Sequence, residues 1–159
     1  MTDSTIAVRL AERGDVASLL DVLPQITSRP DSLSATTLGV DESTRIFDQI
    51  CTHGNVHIVV AQEKLTENIV GALTIVIVPN LTYGGRPWSV IENVVVSRER
   101  RGKGIGKKLM AFALGLAKDN DCYKVQLLSG PNDDQVGFYR SMGMQDGTSR
   151  GFKKYFVDR

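Results

Sequence analysis

Arg101-Gly102-Lys103-Gly104-Ile105-Gly106 carries the most legible chemistry in this chain of 159 residues. The stretch follows the β-branched run Val94-Val95-Val96 and opens an amphipathic segment, an order that reads as strand, glycine turn, helix start. Glycine lets main-chain N–H groups approach a ligand closely, and the first N–H groups of a helix lack intrahelical acceptors and carry partial positive charge. Arg98, Arg100, Arg101, Lys103, Lys107 and Lys108 crowd the turn against one acid, Glu99. The chemistry this suits is a grip on a polyanion, phosphate above all.

Spacing excludes two phosphate loops. A dinucleotide fingerprint requires a third glycine three residues after Gly104, where Lys107 stands. A Walker A loop requires glycine where the chain has Arg101 and a hydroxyl where it has Lys108, so no side chain is offered to magnesium. The pattern that is met is Arg/Gln-x-x-Gly-x-Gly/Ala, by Arg101, Gly104 and Gly106. It resembles the pyrophosphate-binding segment of the GNAT superfamily of acyl-CoA-dependent N-acetyltransferases. Taken alone, six residues leave open a plain βα turn with a solvated basic face.

The flanks extend the resemblance. Trp88-Ser-Val-Ile-Glu-Asn-Val-Val-Val96 is similar to the GNAT strand beside the pantetheine arm, and Cys122-Tyr-Lys-Val-Gln-Leu-Leu128 reads as the following strand. Asn132 precedes Phe138-Tyr139-Arg-Ser-Met-Gly143, which resembles the family's Asn…Phe-Tyr-Glu-Lys-x-Gly-Phe segment, with Met144 in place of the last Phe. The resemblance implies one GNAT domain over residues 1–159, of α/β (α+β) class, with acetyl-CoA as cosubstrate and no metal. It places the pyrophosphate on the amides of Arg101, Gly102, Lys103, Gly104, Ile105, Gly106 and Lys107. It also implies that the Val94 N–H polarises the thioester carbonyl, that Val95 and Val96 border the pantetheine, and that Asn132, Phe138 and Tyr139 line the CoA arm.

Acid–base chemistry is assigned on the same basis. A lysine-like acceptor amine, with pKa about 10.4, costs about 4.6 kcal/mol to neutralise at pH 7; an α-amino-like one costs about 1 kcal/mol. The resemblance makes Glu92 the general base, acting directly or through water. A salt-bridged Glu92 is the alternative, because a charge in so apolar a strand is costly to bury without a use. Strict alternation puts Glu92, Val94 and Val96 on one face and Ile91, Asn93 and Val95 on the other. Asn93 is read as positioning substrate or water, or else as capping the sheet. Tyr139 is read as the hydroxyl that stabilises the departing thiolate, or as an ordinary core tyrosine.

Composition bounds the rest. With 42% apolar and 23% charged residues and a formal charge of +1, the chain reads as an ordinary globular protein. Its basic residues are local, which argues against a general nucleic-acid binder. Cys51 and Cys122 fit no metal spacing and read as reduced core residues. The first residues show no basic-then-apolar leader and no run approaches a membrane span, so the cytoplasm is expected.

Periodicity and turn residues predict the elements that must hold these groups. Strands are expected at 6–10, 56–62, 69–78, 90–96 (as the central strand), 125–129 and 152–157. Helices are expected from Asp15, as N-cap, to Leu23 ahead of Pro24, over 42–52 with Ile46, Phe47 and Ile50 inward, and from Ile105 with Leu109, Phe112, Ala113 and Leu116 inward. A last helix is expected near 136–141. Loops at 28–42 and 79–87, the second turning on Gly84-Gly85, would border the acceptor pocket. The order gives a mixed, mainly antiparallel sheet with helices on both faces.

The acceptor is expected to be the primary amine of a small molecule, attacked in a ternary complex. A protein or peptide amine, and a CoA-binding regulatory protein with little turnover, are the other readings. The downstream motifs are similar to those of glucosamine-6-phosphate N-acetyltransferases and of many bacterial GNAT proteins, although the sugar-phosphate enzymes typically carry Glu-Asp where this chain has Glu92-Asn93. Alternation in Phe152-Lys-Lys-Tyr-Phe156 suits an edge strand, and a homodimer is expected.

Overall fold

The computed structural model describes residues 5–26, 38–129, 133–154 and 156. Five strands form one sheet in chain order: β1 (Ile6–Leu10), β2 (Val56–Glu63), β3 (Ile69–Val78), β4 (Trp88–Val96) and β5 (Val125–Gln126). Neighbours β1 to β4 pair antiparallel, and β5 runs parallel to β4. The parallel step requires a crossover, supplied by helix α3 (Ile105–Asp119). Helices α1 (Val16–Val22), α2 (Val40–Thr52) and α4 (Asp133–Ser141) complete the fold. The expected mixed sheet between helices is therefore the observed one, with β3 rather than β4 in its middle.

Two apolar layers sandwich the sheet. On one face Ile105, Leu109, Met110, Ala113 and Ala117 of α3 pack on Val59, Ala61, Leu73, Ile75 and Ile91, with Phe138 and Tyr139 of α4 against the same cluster. On the other, Leu19 and Val22 of α1 cover Val60, Ile69, Ala72 and Val95. β3 reads as an almost unbroken apolar run because both its faces are covered. The inward stripe of α3 is centred on Met110 and Ala117 as well as on the expected residues; Phe112 and Leu116 lie at its half-buried margin.

Other expectations are met in part or corrected. Asp15 stands at the N-cap position of α1, but its side chain makes no capping bond to that helix; it also ends a 3-10 turn (Arg13–Asp15), where its Oδ2 accepts the Glu12 N–H at 2.7 Å. α1 ends at Val22 with Leu23 as its C-cap, so Pro24 lies beyond the helix end as expected, in a further 3-10 turn (Leu23–Gln25) where its missing N–H costs nothing. α2 begins two residues early at Val40, and Ile46 is exposed, while Phe47 alone on that helix is buried. The expected loop at 28–42 falls mostly outside the described residues. β5 is only two residues long, and residues 152–154 and 156 form no strand, with Phe152 and Phe156 exposed. Cys51 is exposed and Cys122 half-buried, so only the second belongs near the core; burial pushes its thiol pKa up.

The buried acid Asp15 is held by a bidentate guanidinium, Arg9 Nη1 to Oδ2 at 2.6 Å and Nη2 to Oδ1 at 2.8 Å. Hydrogen bonding to Arg9 holds the Asp15 carboxyl below its usual range, against the opposing effect of burial. This lashes the end of β1 to the start of α1. Asp15→Asn should cost roughly 2 kcal/mol, as expected for hydrogen bonds to a charged group. Because the folded pKa is depressed, that stabilisation is present above the unfolded carboxylate pKa of about 3.9 and is lost as pH falls through the folded value. Urea unfolding of both proteins should show a constant gap from about pH 5 to 8 that closes in stronger acid.

Candidate active site

β4 carries the centre of the site. Against β3, Ala72 pairs with Val95 and Thr74 with Glu92, so Leu73 faces both Asn93 and Val94. The extra residue is a β-bulge, and Asn93 sits in it with φ 55, a left-handed conformation that Asn accepts more readily than most residues. The bulge corrects the strict alternation expected from the sequence. Ile91 belongs to the core layer under α3 and Val95 to the layer under α1, although an unbroken strand would put both on one face.

The same strand opens an edge. Ser97 N–H donates to the Val70 carbonyl at 2.9 Å. Alternation then points the main-chain groups of Val94 and Val96 away from β3. On that side β5 pairs only with Ser89 and Val90, so the strands part before the bulge. Val94 and Val96 thus present main-chain groups to an opening between β4 and the chain that follows β5. Val96 departs in one respect from what was expected of it: its carbonyl already accepts Arg101 Nε at 3.0 Å.

At the far end of β4 lies the glycine turn. Gly102 and Gly104 adopt φ 75 and 77, conformations that side chains rarely take, and a Cβ at either would meet nothing. Gly104 caps α3, whose first intrahelical bond here is Lys108 N–H to the Gly104 carbonyl at 3.2 Å. The N–H groups of Ile105, Gly106 and Lys107 therefore have no helical acceptor, and the first turn contains no acid. The basic rim is not uniform. Arg100 pairs with Glu63 at 2.7 Å, and Arg101 Nη2 donates to the Gln25 carbonyl at 3.0 Å. Gln25 Oε1 in turn accepts the Arg98 N–H at 2.8 Å. Arg101 and Gln25 therefore shape the turn from behind, while Lys103 and Lys107 stand exposed on it. No sequence motif marks Gln25; its part depends on a contact with residues more than seventy positions later.

Glu92 and Tyr139 lie within electrostatic reach of each other. Glu92 stands exposed beside the bulge, which corrects the premise that it is buried in an apolar strand. Tyr139 is half-buried on α4, and its hydroxyl pKa is raised, first by burial and then by the nearby Glu92 carboxylate. The phenol therefore keeps its proton across the neutral range. Phe138 packs edge-on to Tyr139, with centroids 5.0 Å apart, and its ring tip lies against Gly106. Asn93 is exposed in the bulge. Asn132 lies outside the described residues. The 79–87 loop, cross-linked by Asn80 to the carbonyls of Thr82 and Arg86, stacks Tyr83 on Tyr123 at 4.4 Å and precedes β4, at the strand end opposite the glycine turn. Among the described residues no cluster of His, Cys, Asp and Glu could hold a metal ion, and no helix is long and apolar enough to cross a membrane.

The chain matches the Acetyltransferase (GNAT) family over residues 25–144, a span that includes the bulge, the glycine turn and the Phe138-Tyr139 pair. It belongs to the GNAT family of acetyltransferases. A glucosamine 6-phosphate N-acetyltransferase of Trypanosoma brucei brucei is 33% identical over 146 residues, covering 91% of this chain and 93% of the relative. The crystal structure of glucosamine-6-phosphate N-acetyltransferase from Arabidopsis thaliana superposes with a TM-score of 0.82 at 28% identity, over 96% of this chain and 99% of that one. A putative acetyltransferase from Agrobacterium tumefaciens str. C58 gives the same TM-score at 34% identity, over 94% and 99%. This GNAT protein is accordingly an acyl-CoA-dependent N-acetyltransferase.

The proximity of Glu92 to Tyr139 has a direct test. Glu92→Gln removes the carboxylate that opposes phenolate formation, so the Tyr139 transition should move to lower pH in a tyrosinate absorbance titration. The shift should vanish in a Tyr139→Phe background, where the remaining tyrosines report no change.

Proposed function

We propose that this enzyme transfers the acetyl group of acetyl-CoA to the primary amine of an amino sugar phosphate, with glucosamine 6-phosphate as the first candidate, by direct attack in a ternary complex. The observation that carries this reading is that the Glu92 carboxylate lies near enough to Tyr139 to oppose, together with burial, the ionisation of its hydroxyl. The relatives aligned over nearly the whole chain support the acceptor class. In this reading the turn amides from Arg101 to Lys107 hold the pyrophosphate, with Lys103 and Lys107 adding charge. Val94, Val95 and Val96 border the pantetheine, and Asn132 and Phe138 the rest of the CoA arm.

Glu92, directly or through one water, takes a proton from the ammonium and so frees the lone pair with which the amine then attacks the thioester carbonyl. The second proton leaves nitrogen as the tetrahedral intermediate collapses and passes to the CoA thiolate or to solvent. The Val94 N–H polarises that carbonyl, stabilising the oxyanion of the tetrahedral intermediate. Collapse breaks the C–S bond and releases the CoA thiolate, to which Tyr139 donates a hydrogen bond. Full proton transfer from a phenol to a thiolate whose conjugate acid has pKa about 8.5 is uphill by at least about 2 kcal/mol, so Tyr139 stabilises the leaving group without ionising completely. Asn93, exposed in the bulge, positions the acceptor or a water. The same reading includes a homodimer, in which a second copy covers the exposed Phe152 and Phe156.

Thiol release from acetyl-CoA should be detected with glucosamine 6-phosphate and should exceed that with amino acids, polyamines and peptides; no release with the sugar phosphate would refute the acceptor class. Glu92→Gln should lower kcat/KM by roughly 10²–10⁴ near neutral pH, the range of general base catalysis. That deficit should shrink at high pH, where free amine is abundant. Tyr139→Phe should lower kcat with little change in CoA affinity and no relief from raised pH. Acetyl-CoA at 100 times its Kd should stabilise the protein by about 2.7 kcal/mol in thermal melting, and Gly104→Val, which forces a branched side chain into a left-handed turn, should abolish the shift.

A further inference from the structure

Three glycines line the turn, but they do not serve one purpose. Gly102 and Gly104 are required by positive φ, with open space where a Cβ would stand. Gly106 is different. It is the second residue of α3, in ordinary helical conformation, and a Cβ there would lie 3.3 Å from Phe138 Cζ and 3.4 Å from Cε2. Val96 Cγ2 of β4 lies on the same spot at 3.8 Å. The missing side chain is thus filled by the tip of the Phe138 ring, wedged between the glycine turn and the strand that carries Glu92. Phe138 also meets Tyr139 edge-to-face and packs with it into the core layer under α3. Sound interiors do not absorb an added methyl without moving something. Here the mobile party is α4, because Gly106 is anchored in α3 and Val96 in the sheet.

We propose that Phe138 is a positioning residue: its ring, seated on Gly106, sets the height of α4 and thereby places the Tyr139 hydroxyl at the opening beside Glu92. On this account the bare Cα of Gly106 admits Phe138, while its N–H stays available to the pyrophosphate. The inference rests on the role given to Tyr139 above. It differs from that role in its consequence, since it links the cofactor turn to the leaving-group hydroxyl through one van der Waals contact.

A double-mutant cycle tests it, with glucosamine 6-phosphate as acceptor and acetyl-CoA affinity measured by calorimetry. Gly106→Ala should lower kcat about tenfold, in line with the cost of sub-ångström misplacement of reacting groups, and leave acetyl-CoA Kd within about twofold. Phe138→Leu, which withdraws the ring tip without adding an atom, should lower kcat as well. In the Phe138→Leu background Gly106→Ala should have no further effect. An equal deficit in both backgrounds, or a loss in acetyl-CoA affinity at unchanged kcat, would overturn the proposal. Should the wild type fail to turn over the sugar phosphate, the proposed acceptor falls, and the coupling is read instead from tyrosinate titration. Gly106→Ala should then move the Tyr139 transition only when Phe138 is present, and an unmoved transition in both backgrounds overturns the coupling.

Discussion

One surplus residue in β4 governs the site. Where Leu73 faces both Asn93 and Val94, the strand gains a local kink and its side chains exchange faces. Ile91 and Val95 are thereby buried in opposite apolar layers, and each contributes to holding a different helix. The chain accepts the unfavourable backbone conformation at Asn93 because burial on both sides of the bulge determines the register around it. Beyond the kink, main-chain groups that a regular sheet would consume are turned towards an opening. A sheet edge is ordinarily a liability; here it is short, protected within the fold and directed at chemistry.

Electrostatics are arranged around the same strand, with opposite character at neighbouring points. After β4, a helix N-terminus free of acids and a rim of basic residues present positive potential. The rim is partly committed to structure: Glu63 holds Arg100, while Arg101 spans the Val96 and Gln25 carbonyls. Such fixed contacts pre-organise the turn, so that a phosphate need not order it at its own expense. Part-way along β4, the exposed Glu92 contributes negative charge and acts with burial to keep the Tyr139 phenol protonated. In the proposed reaction, a carboxylate and a protonated hydroxyl within electrostatic reach of each other divide the labour of accepting a proton and stabilising a leaving group.

The contacts between helices explain why these groups keep their relation. α3 is anchored on the sheet by Leu109, Met110 and Ala113, all fully buried, and its first turn is therefore rigid with respect to β4. α4 meets that first turn at the bare surface of Gly106. Close packing transmits position: a side chain seated between two anchored elements has few alternatives. The turn that suits a phosphate and the helix that carries a hydroxyl are thus parts of one packed unit.

Much of this was legible in the sequence, for reasons that can be named. The glycine turn, the β-branched strand before it and the amphipathic helix after it are local features, set by backbone sterics and hydrophobic period. They predicted the mixed sheet with helices on both faces, while the candidate residues Glu92 and Tyr139 came from the resemblance of the flanking motifs to the GNAT family. Elements supported by few local contacts were not legible: β5 shrank to two residues, residues 152–154 and 156 yielded no strand, and Ile46 lies outside the core despite its helical spacing. Tertiary structure alone decided the bulge, because alternation of apolar residues cannot reveal that Leu73 has two partners. It decided equally that Arg101 turns to Gln25 and that Gly106 receives Phe138. Each of those facts depends on a contact between residues far apart in the chain, for which one sequence carries residue types but no distances.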